Sequence, residues 1–151
     1  MKREIKNKSE IVSKLNSLLS DYEIYYQNLR ALHWNIKGKM FFMLHEKYEE
    51  FYTEAAEVID EIAERILMLE STPLHTYEDF LKNGEIAVVK NVSDAEKSVQ
   101  IVLENNEVLL NKAFGAIEVA SESGDEGTVA LLSELISGLE KRIWMLKSSI
   151  K

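Results

Sequence analysis

Residues 32–65 of this chain read LHWNIKGKMFFMLHEKYEEFYTEAAEVIDEIAER. Apolar residues recur every three or four positions on both sides of the single glycine, which is typical of two amphipathic helices joined by a turn. Two of the chain's three histidines, His33 and His45, flank this turn. Asp60 and Glu64 lie four positions apart near the end of the stretch, so their carboxylates project from one helix face.

The same spacing extends in both directions and predicts two long helices. The first runs from Ser9 to the turn, where Gly38 ends it. The second follows the turn and stops at the Ser-Thr-Pro segment, residues 71–73, because proline cannot continue a helix. The predicted buried positions are Ile11, Leu15, Leu18, Tyr22, Tyr25 or Tyr26, Leu29, Leu32 and Ile36 in the first helix, and Phe41, Leu44, Tyr48, Phe51, Ala55, Ile59, Ile62, Ile66 and Leu69 in the second.

A long connection follows the second helix. Residues 74–92 are too many for a tight turn, and the segment TYEDFLKNG within them predicts a short helix with Thr76 as its N-cap. A connection of this length can cross from one end of a helical bundle to the other. The run IAVV, residues 86–89, is the one strand-like segment, so no sheet is expected.

Two further helices complete the chain. A capping box of Ser93 and Glu96 is predicted to begin the third, which ends at Ser123-Gly124, and the fourth begins near Asp125. Their predicted buried positions are Val99, Val102, Leu103, Leu109, Leu110, Phe114 and Ile117, then Val129, Leu132, Leu135, Ile136, Leu139, Ile143 and Leu146. The predicted fold class is therefore all-α. It is a four-helix bundle with a long crossover carrying a short helix between helices two and three, the ferritin-like arrangement.

Composition agrees with a single folded domain. The chain has 151 residues, of which 46% are hydrophobic and 29% charged. We expect a short basic mobile tail at residues 1–8 and one bundle domain at residues 9–151, with no secretory signal, no membrane span and a cytoplasmic location. Without cysteine there are no disulfides or thiolate sites. The net charge of −8 argues against nucleic-acid binding by the body of the protein and suits one that attracts cations.

The histidine pair and the carboxylate pair are far apart along the chain. From His45 to Asp60 is fifteen helical residues, which at about 1.5 Å each span roughly 22 Å. Since metal–ligand bonds measure about 2.0–2.2 Å, the two pairs cannot share a metal within one chain. Either they are unrelated, or antiparallel packing across a twofold axis brings the histidines of one subunit to the carboxylates of another.

Each feature alone has a simpler structural interpretation. An isolated Asp-x-x-x-Glu is most often a solvated helix face, and a histidine beside Trp34 is more often a packed, hydrogen-bonded residue than a ligand. His75, in the connection, is interpreted as structural. The Glu-x-x-His motif of di-iron sites inside a bundle is absent, because Arg30, Phe42 and Thr72 stand three positions before the histidines.

Taken together, these motifs resemble the signature of the Dps-type mini-ferritins, the "DNA-binding protein from starved cells" family. The matching segments, in order and spacing, are His33-Trp34-Asn35, Gly38, Phe41-Phe42, Leu44-His45-Glu46, the DEIAER run at 60–65, the TYEDFL segment after Pro73 and IWMLK around Trp144. The likeness covers essentially the whole chain, and its central motif is specific.

The resemblance implies a homododecameric hollow shell with tetrahedral symmetry that oxidises ferrous iron and stores ferric mineral. It implies di-iron ferroxidase centres at twofold interfaces, with His33 and His45 from one subunit and Asp60 and Glu64 from the other. It also implies that Trp34 lies near the centre. Two imidazoles and two carboxylates suit a first-row divalent metal, and Glu64 can bridge two irons. Hydrogen peroxide is the expected oxidant, with oxygen as the alternative.

The family pattern suggests roles for further acidic residues. Glu46, Glu49 and Glu50 are candidates for mineral nucleation, and Asp125 and Glu126 for the acidic pores on one threefold axis. The basic tail could bind DNA weakly through avidity across many copies, with nucleoid association as the consequence. The competing hypothesis is a shell that compacts DNA, or stores iron without fast oxidation.

Overall fold

The fold is all-α, as predicted. The computed structural model describes residues 4–150, whose regular structure consists of helices with no strand. The helices are α1, Lys8–Asn35; α2, Phe41–Met68; α3, Tyr77–Asn83; α4, Ala95–Glu122; and α5, Glu126–Ser149. The four long helices form the bundle, and α3 is the short helix predicted in the connection. None of the helices in this part of the chain has the length and apolar character needed to cross a membrane.

Helix α1 is the most enclosed of the four long helices. It packs against α2 and α4, and α3 covers a further part of its surface, while α4 also packs against α5. Because neighbours surround it on several sides, α1 buries polar as well as apolar residues. The core is dominated by aliphatic side chains, and its three largest fully buried members are Tyr22, Tyr25 and Tyr48.

A buried carboxylate on α1 anchors the crossover. Asp21 is fully buried, and its Oδ1 accepts hydrogen bonds from the backbone N–H groups of Glu85 and Ile86, both at 2.8 Å. The other carboxylate oxygen forms an ion pair with Lys112 of α4. One side chain therefore satisfies two backbone donors of the connection and holds it between α1 and α4.

Asn28 fixes the next part of the same connection. Its side-chain Nδ2 donates to the carbonyl of Ala87 at 3.0 Å, and its Oδ1 accepts from the backbone N–H of Val89 at 2.9 Å. The strand-like run at 86–89 is thus bonded by a side chain of α1, and no strand pairs with it in residues 4–150. The hydrogen bonds from Asn28 satisfy backbone groups of this run that would otherwise need a neighbouring strand.

The predicted capping box of the third long helix is wrong. The N-cap is Asp94, whose carboxylate accepts from the backbone N–H of Lys97 at 2.9 Å. Ser93 lies one residue outside the helix, and its carbonyl accepts from the backbone N–H of Lys37 at 3.0 Å. A carboxylate directly before a helix caps it as well as a hydroxyl does, and its negative charge also interacts favourably with the positive end of the helix dipole. Since Asp94 is the N-cap, Ser93 and Glu96 do not form a capping box.

One predicted core residue is also misplaced. Phe114 is 44% exposed, whereas the buried face of α4 continues through Ala113, Ala116 and Ala120. These small residues allow the neighbouring helices to approach closely, so the large aromatic ring at the edge of the stripe remains outside. At the N-terminus, Lys2 and Arg3 of the expected tail lie outside the described residues.

Candidate metal centre

The turn between α1 and α2 brings the two histidines together. Helix α1 ends at Asn35, three residues before the glycine that was predicted to end it. Gly38 lies within the turn at a φ of 106°, a conformation that favours glycine because other residues carry a Cβ. His33 therefore lies in the last turn of α1, and His45 lies in the opening turns of α2.

The two imidazoles are stacked, and each selects the tautomer of the other. Their ring centroids are 3.7 Å apart, with an angle of 12° between the planes. His33 Nδ1 lies 2.6 Å from the carbonyl oxygen of His45, and His45 Nδ1 lies 2.7 Å from that of His33. A carbonyl oxygen can only accept, so each Nδ1 must carry the proton. The Nε2 of each neutral ring then has a free lone pair, as a metal ligand requires.

Aromatic neighbours hold this pair in place. Phe41 stacks on His45 with centroids 4.8 Å apart, and Tyr52 meets His33 edge-on at 5.4 Å. His33 itself is only 6% exposed. The rings are therefore oriented by hydrogen bonds and packing before any ligand arrives, which is the preorganisation that a binding site needs.

Glu49, which the sequence analysis assigned to mineral nucleation, lies beside the histidines. Glu49 Oε1 is 3.8 Å from His33 Nε2, the nitrogen with the free lone pair. Glu46, Glu49 and Glu50 share an open pocket of about 620 Å³ with His45. The position of Glu49, one helical turn after His45, could have indicated that it lies near the histidines. The neighbouring glutamates made it look like part of a solvated helix face.

The second predicted pair stays apart from the first. Asp60 and Glu64 are both exposed on α2, which runs without interruption from Phe41 to Met68. The helical rise therefore holds, and roughly 22 Å separates His45 from Asp60. Within residues 4–150 no three carboxylates or imidazoles converge on a point that could hold a metal ion. The structure brings His33 and His45 together with Glu49 beside them, and leaves Asp60 and Glu64 facing solvent.

The other predicted side chains are scattered. Trp34 is 57% exposed, and the guanidinium of Arg30 lies over its ring at 4.9 Å. His75 is exposed, with its Nδ1 2.9 Å from the carbonyl of Pro73. Neither ring contacts the stacked imidazoles through any described ring contact.

Asp125, one of the two predicted pore acids, is buried and forms its contacts within its own chain. It is 1% exposed, accepts from the backbone N–H of Thr128 at 3.1 Å as the N-cap of α5, and pairs with Arg65 at 2.6 Å. Arg65 Nε also donates to Thr128 Oγ1 at 2.9 Å. Of the two predicted pore acids, Glu126 is the exposed one. Sequence reasoning missed that Arg65, next to Glu64, ties α2 to the start of α5.

Comparison with known proteins agrees with this architecture. Residues 12–151 match the model of the Ferritin family, described as a ferritin-like domain. The chain is similar to a DNA protection during starvation protein of Porphyromonas gingivalis, with 41% identity over 138 residues that cover 91% of this chain and 87% of that relative. A corresponding protein of Bacillus anthracis is 37% identical over 139 residues, covering 92% and 95%.

Solved structures of the same kind superpose closely. The Dps protein of Vibrio cholerae, described as a member of a superfamily of ferritin-like diiron-carboxylate proteins, matches with a TM-score of 0.94 and 42% identity, covering 95% of this chain and 91% of that one. A Dps protein of Bacillus brevis matches with a TM-score of 0.93 and 34% identity over the full length of both chains.

Fold and crossover thus define a ferritin-like helical bundle in which His33 and His45 lie beside the turn between α1 and α2. The similar proteins and structures identify the family within this class. The chain belongs to the Dps-type mini-ferritins, as the sequence motifs predicted.

Proposed function

We propose that the protein is a ferroxidase and iron store. It oxidises ferrous iron, with hydrogen peroxide as the preferred oxidant, at two-metal sites shared between twofold-related subunits. The ferric product is kept as mineral inside a dodecameric shell. The observation that carries this proposal is the reciprocal bonding of His33 and His45, which frees both Nε2 atoms for a metal in a chain that supplies too few ligands alone.

The donor set fits iron. His33, His45 and Glu49 come from one subunit, and Asp60 and Glu64 come from a second copy whose α2 packs antiparallel to the first. Nitrogen and carboxylate oxygen ligands together suit a first-row divalent ion better than calcium or magnesium. Five side chains shared by two ions leave coordination positions open for water or oxidant, as a catalytic site requires.

The electrons balance with peroxide as acceptor. Two ferrous ions each give up one electron, and one hydrogen peroxide takes both electrons with two protons to form two waters. The carboxylates of Glu49, Asp60 and Glu64 stabilise the extra positive charge of the ferric product. Glu46 and Glu50 line the pocket beside His45 and would bind that product as the first ions of the mineral.

The test is stopped-flow absorbance after ferrous iron and peroxide are mixed with the protein. The Asp60→Ala/Glu64→Ala variant should lose the fast phase of oxidation. The matched control is Glu118→Ala/Glu122→Ala, an exposed pair with the same spacing on α4, which should oxidise at the wild-type rate. Equal rates in wild type and both variants would show that the carboxylate assignment is wrong.

A second candidate function is DNA binding, since several relatives carry the name DNA protection during starvation protein. The supporting feature is the basic segment at residues 1–8. In the described part of this segment, the backbone N–H of Lys6 donates to the carbonyl of Ser123 at 3.3 Å, and Lys8 begins α1. A gel-shift titration at low and physiological salt, with and without residues 1–8, tests it. Full DNA binding by the truncated protein would show that residues 1–8 are not the DNA-binding segment.

A further inference from the structure

A line of aromatic rings leads away from the stacked histidines. Tyr52 of α2 meets the ring of His33 edge-on, with centroids 5.4 Å apart and an angle of 83° between the planes. Tyr26 of α1 meets Tyr52 in the same way, at 5.9 Å and 89°. Both tyrosines are half-buried. Edge-to-face rings at these distances are in contact, so Tyr52 lies directly beside the histidine pair and Tyr26 lies one ring further away.

Tyr52 is the ring next to the histidine pair that can give up an electron. Within residues 4–150 the imidazoles contact two other rings, those of Tyr52 and Phe41. A phenylalanine ring is very hard to oxidise, whereas a phenol loses one electron readily because its proton leaves at the same time. Packing against His33 needs only a ring, which phenylalanine would also provide. The hydroxyl of Tyr52 therefore adds a chemical capacity that packing does not require.

Two other oxidisable rings, on the neighbouring part of α1, are poorer electron donors. The guanidinium of Arg30 lies over both of them, 5.3 Å from the ring centroid of Tyr26 and 4.9 Å from that of Trp34. A cation is attracted to the electron-rich face of a ring, and this attraction weakens when the ring loses an electron. Arg30 therefore makes oxidation of Tyr26 and Trp34 less favourable. Tyr52 has no such contact with a cation in the described part of the chain.

Iron oxidation by peroxide creates a need for an electron donor at this place. Hydrogen peroxide takes two electrons to become two waters, and two ferrous ions supply them when the proposed centre is full. A centre that holds one ferrous ion supplies one electron, and peroxide then splits into hydroxide and a free hydroxyl radical. A second electron donor beside the metal ligands prevents this outcome, because it completes the two-electron reduction.

We infer that Tyr52 donates this second electron, through the ring of His33, when a single ferrous ion meets hydrogen peroxide. The ferrous ion becomes ferric, and the Tyr52 phenol loses one electron and its proton to become a neutral tyrosyl radical. The O–O bond of the peroxide breaks, and two waters form from both electrons, the phenol proton and one proton from solvent. This inference rests on the proposed iron oxidation and assigns it an electron donor in addition to the metal ligands.

The experiment supplies less than one ferrous ion per chain of the assembled protein, with excess hydrogen peroxide, and freezes the mixture within milliseconds for electron paramagnetic resonance. The wild type should give a tyrosyl-radical signal that narrows when its tyrosines are ring-deuterated. Tyr52→Phe keeps a ring beside His33 and removes the phenol, so this signal should be lost. The matched control, Tyr26→Phe, removes the other half-buried tyrosine of the same line and should keep the signal.

The ferric signal in the same spectra separates electron donation from a structural role. Tyr52→Phe should still form ferric iron, and a spin trap in solution should capture more hydroxyl radical from it than from the wild type or Tyr26→Phe. Loss of the ferric and tyrosyl signals together would mean that Tyr52 only holds His33 in place, which would overturn its role as donor.

Other outcomes distinguish this inference from the ferroxidase proposal. A tyrosyl signal of wild-type size in Tyr52→Phe would overturn the assignment of the donor. A wild type that forms ferric iron without any tyrosyl radical would overturn the inference and leave the ferroxidase proposal intact. A wild type that oxidises no iron would overturn both.

Discussion

His33 and His45 each donate the Nδ1 proton to the other's backbone carbonyl, at 2.6 and 2.7 Å, while their rings stack at 3.7 Å. The two residues, twelve positions apart, thus set each other's tautomer without a third side chain. The turn between α1 and α2 is therefore a preformed half-site with two free Nε2 atoms. In the proposed centre, Asp60 and Glu64 of another copy complete it, because those of the same chain lie roughly 22 Å along α2.

His33→Asn should separate the structural role of this residue from metal binding. The asparagine Nδ2 can still donate to the carbonyl of His45, but no nitrogen remains in the position of Nε2. We predict a folded, assembled protein whose Co²⁺ affinity is at least about tenfold lower, measured by titrating the visible absorption of bound Co²⁺. Unchanged Co²⁺ affinity in this variant would show that His33 is not a ligand.

Glu49→Gln should reveal whether this residue binds metal or nucleates mineral. The change keeps the side-chain shape and removes the charge 3.8 Å from His33 Nε2. We predict about tenfold weaker Co²⁺ binding and a slower first oxidation step. The matched controls, Glu46→Gln and Glu50→Gln, line the same pocket and should slow only the later growth of mineral. If all three variants keep the wild-type fast phase, Glu49 has no part in the centre.

The buried pair of Asp125 and Arg65 should be important for stability. Asp125→Ala removes the N-cap of α5 and leaves the Arg65 side chain, which is 18% exposed, without its carboxylate partner. We predict a loss of about 3 kcal/mol in the free energy of unfolding, measured by urea denaturation. Glu126→Ala, at the neighbouring exposed position, should change it by less than about 0.5 kcal/mol. Similar small effects of both substitutions would contradict the structural role of Asp125.

Alkaline pH should destabilise the bundle through its buried tyrosines. Burial raises the pKa of Tyr48 to about 12, whereas an unfolded tyrosine titrates near about 10. Between these values the folded state keeps a proton that the unfolded state has lost. Tyr48 therefore contributes stability fully below about pH 10, and this contribution is lost as the pH rises through about 12.

The measurement is the urea midpoint at pH 8 and pH 11. Tyr48→Phe should lower the midpoint at pH 8, because the bond to Ser98 is lost. It should also show a smaller drop between the two pH values than wild type. An identical drop in both proteins would mean that Tyr48 does not contribute to the pH dependence.

Local signals in the sequence were sufficient for most of the fold. Helical periodicity, the glycine of the α1–α2 turn and the Thr76 N-cap each act within a few residues, so α3 was found with its cap. The errors arose where local signals compete. Ser93 and Asp94 can both cap a helix, and only the packed chain, in which Ser93 bonds Lys37, shows which one does.

The candidate site was less accessible to sequence reasoning. Spacing identified His33 and His45, but the reciprocal carbonyl bonds depend on how tightly the turn closes. The proximity of Glu49 to His33, and the burial of Asp125 against Arg65, depend on the relative rotation of packed helices. The proposed site lies between two copies of the chain, so a single chain would contain only its two separate parts.

Subunit complementation tests the shared site most directly. One variant carries His33→Ala/His45→Ala and the other Asp60→Ala/Glu64→Ala, and each alone should lack fast iron oxidation. Co-assembled in equal amounts, half of the twofold pairs are mixed and each mixed pair has one intact site, so about one quarter of wild-type activity should return. No recovery in verified mixed assemblies, or a fast phase in either variant alone, would contradict a site built from two subunits.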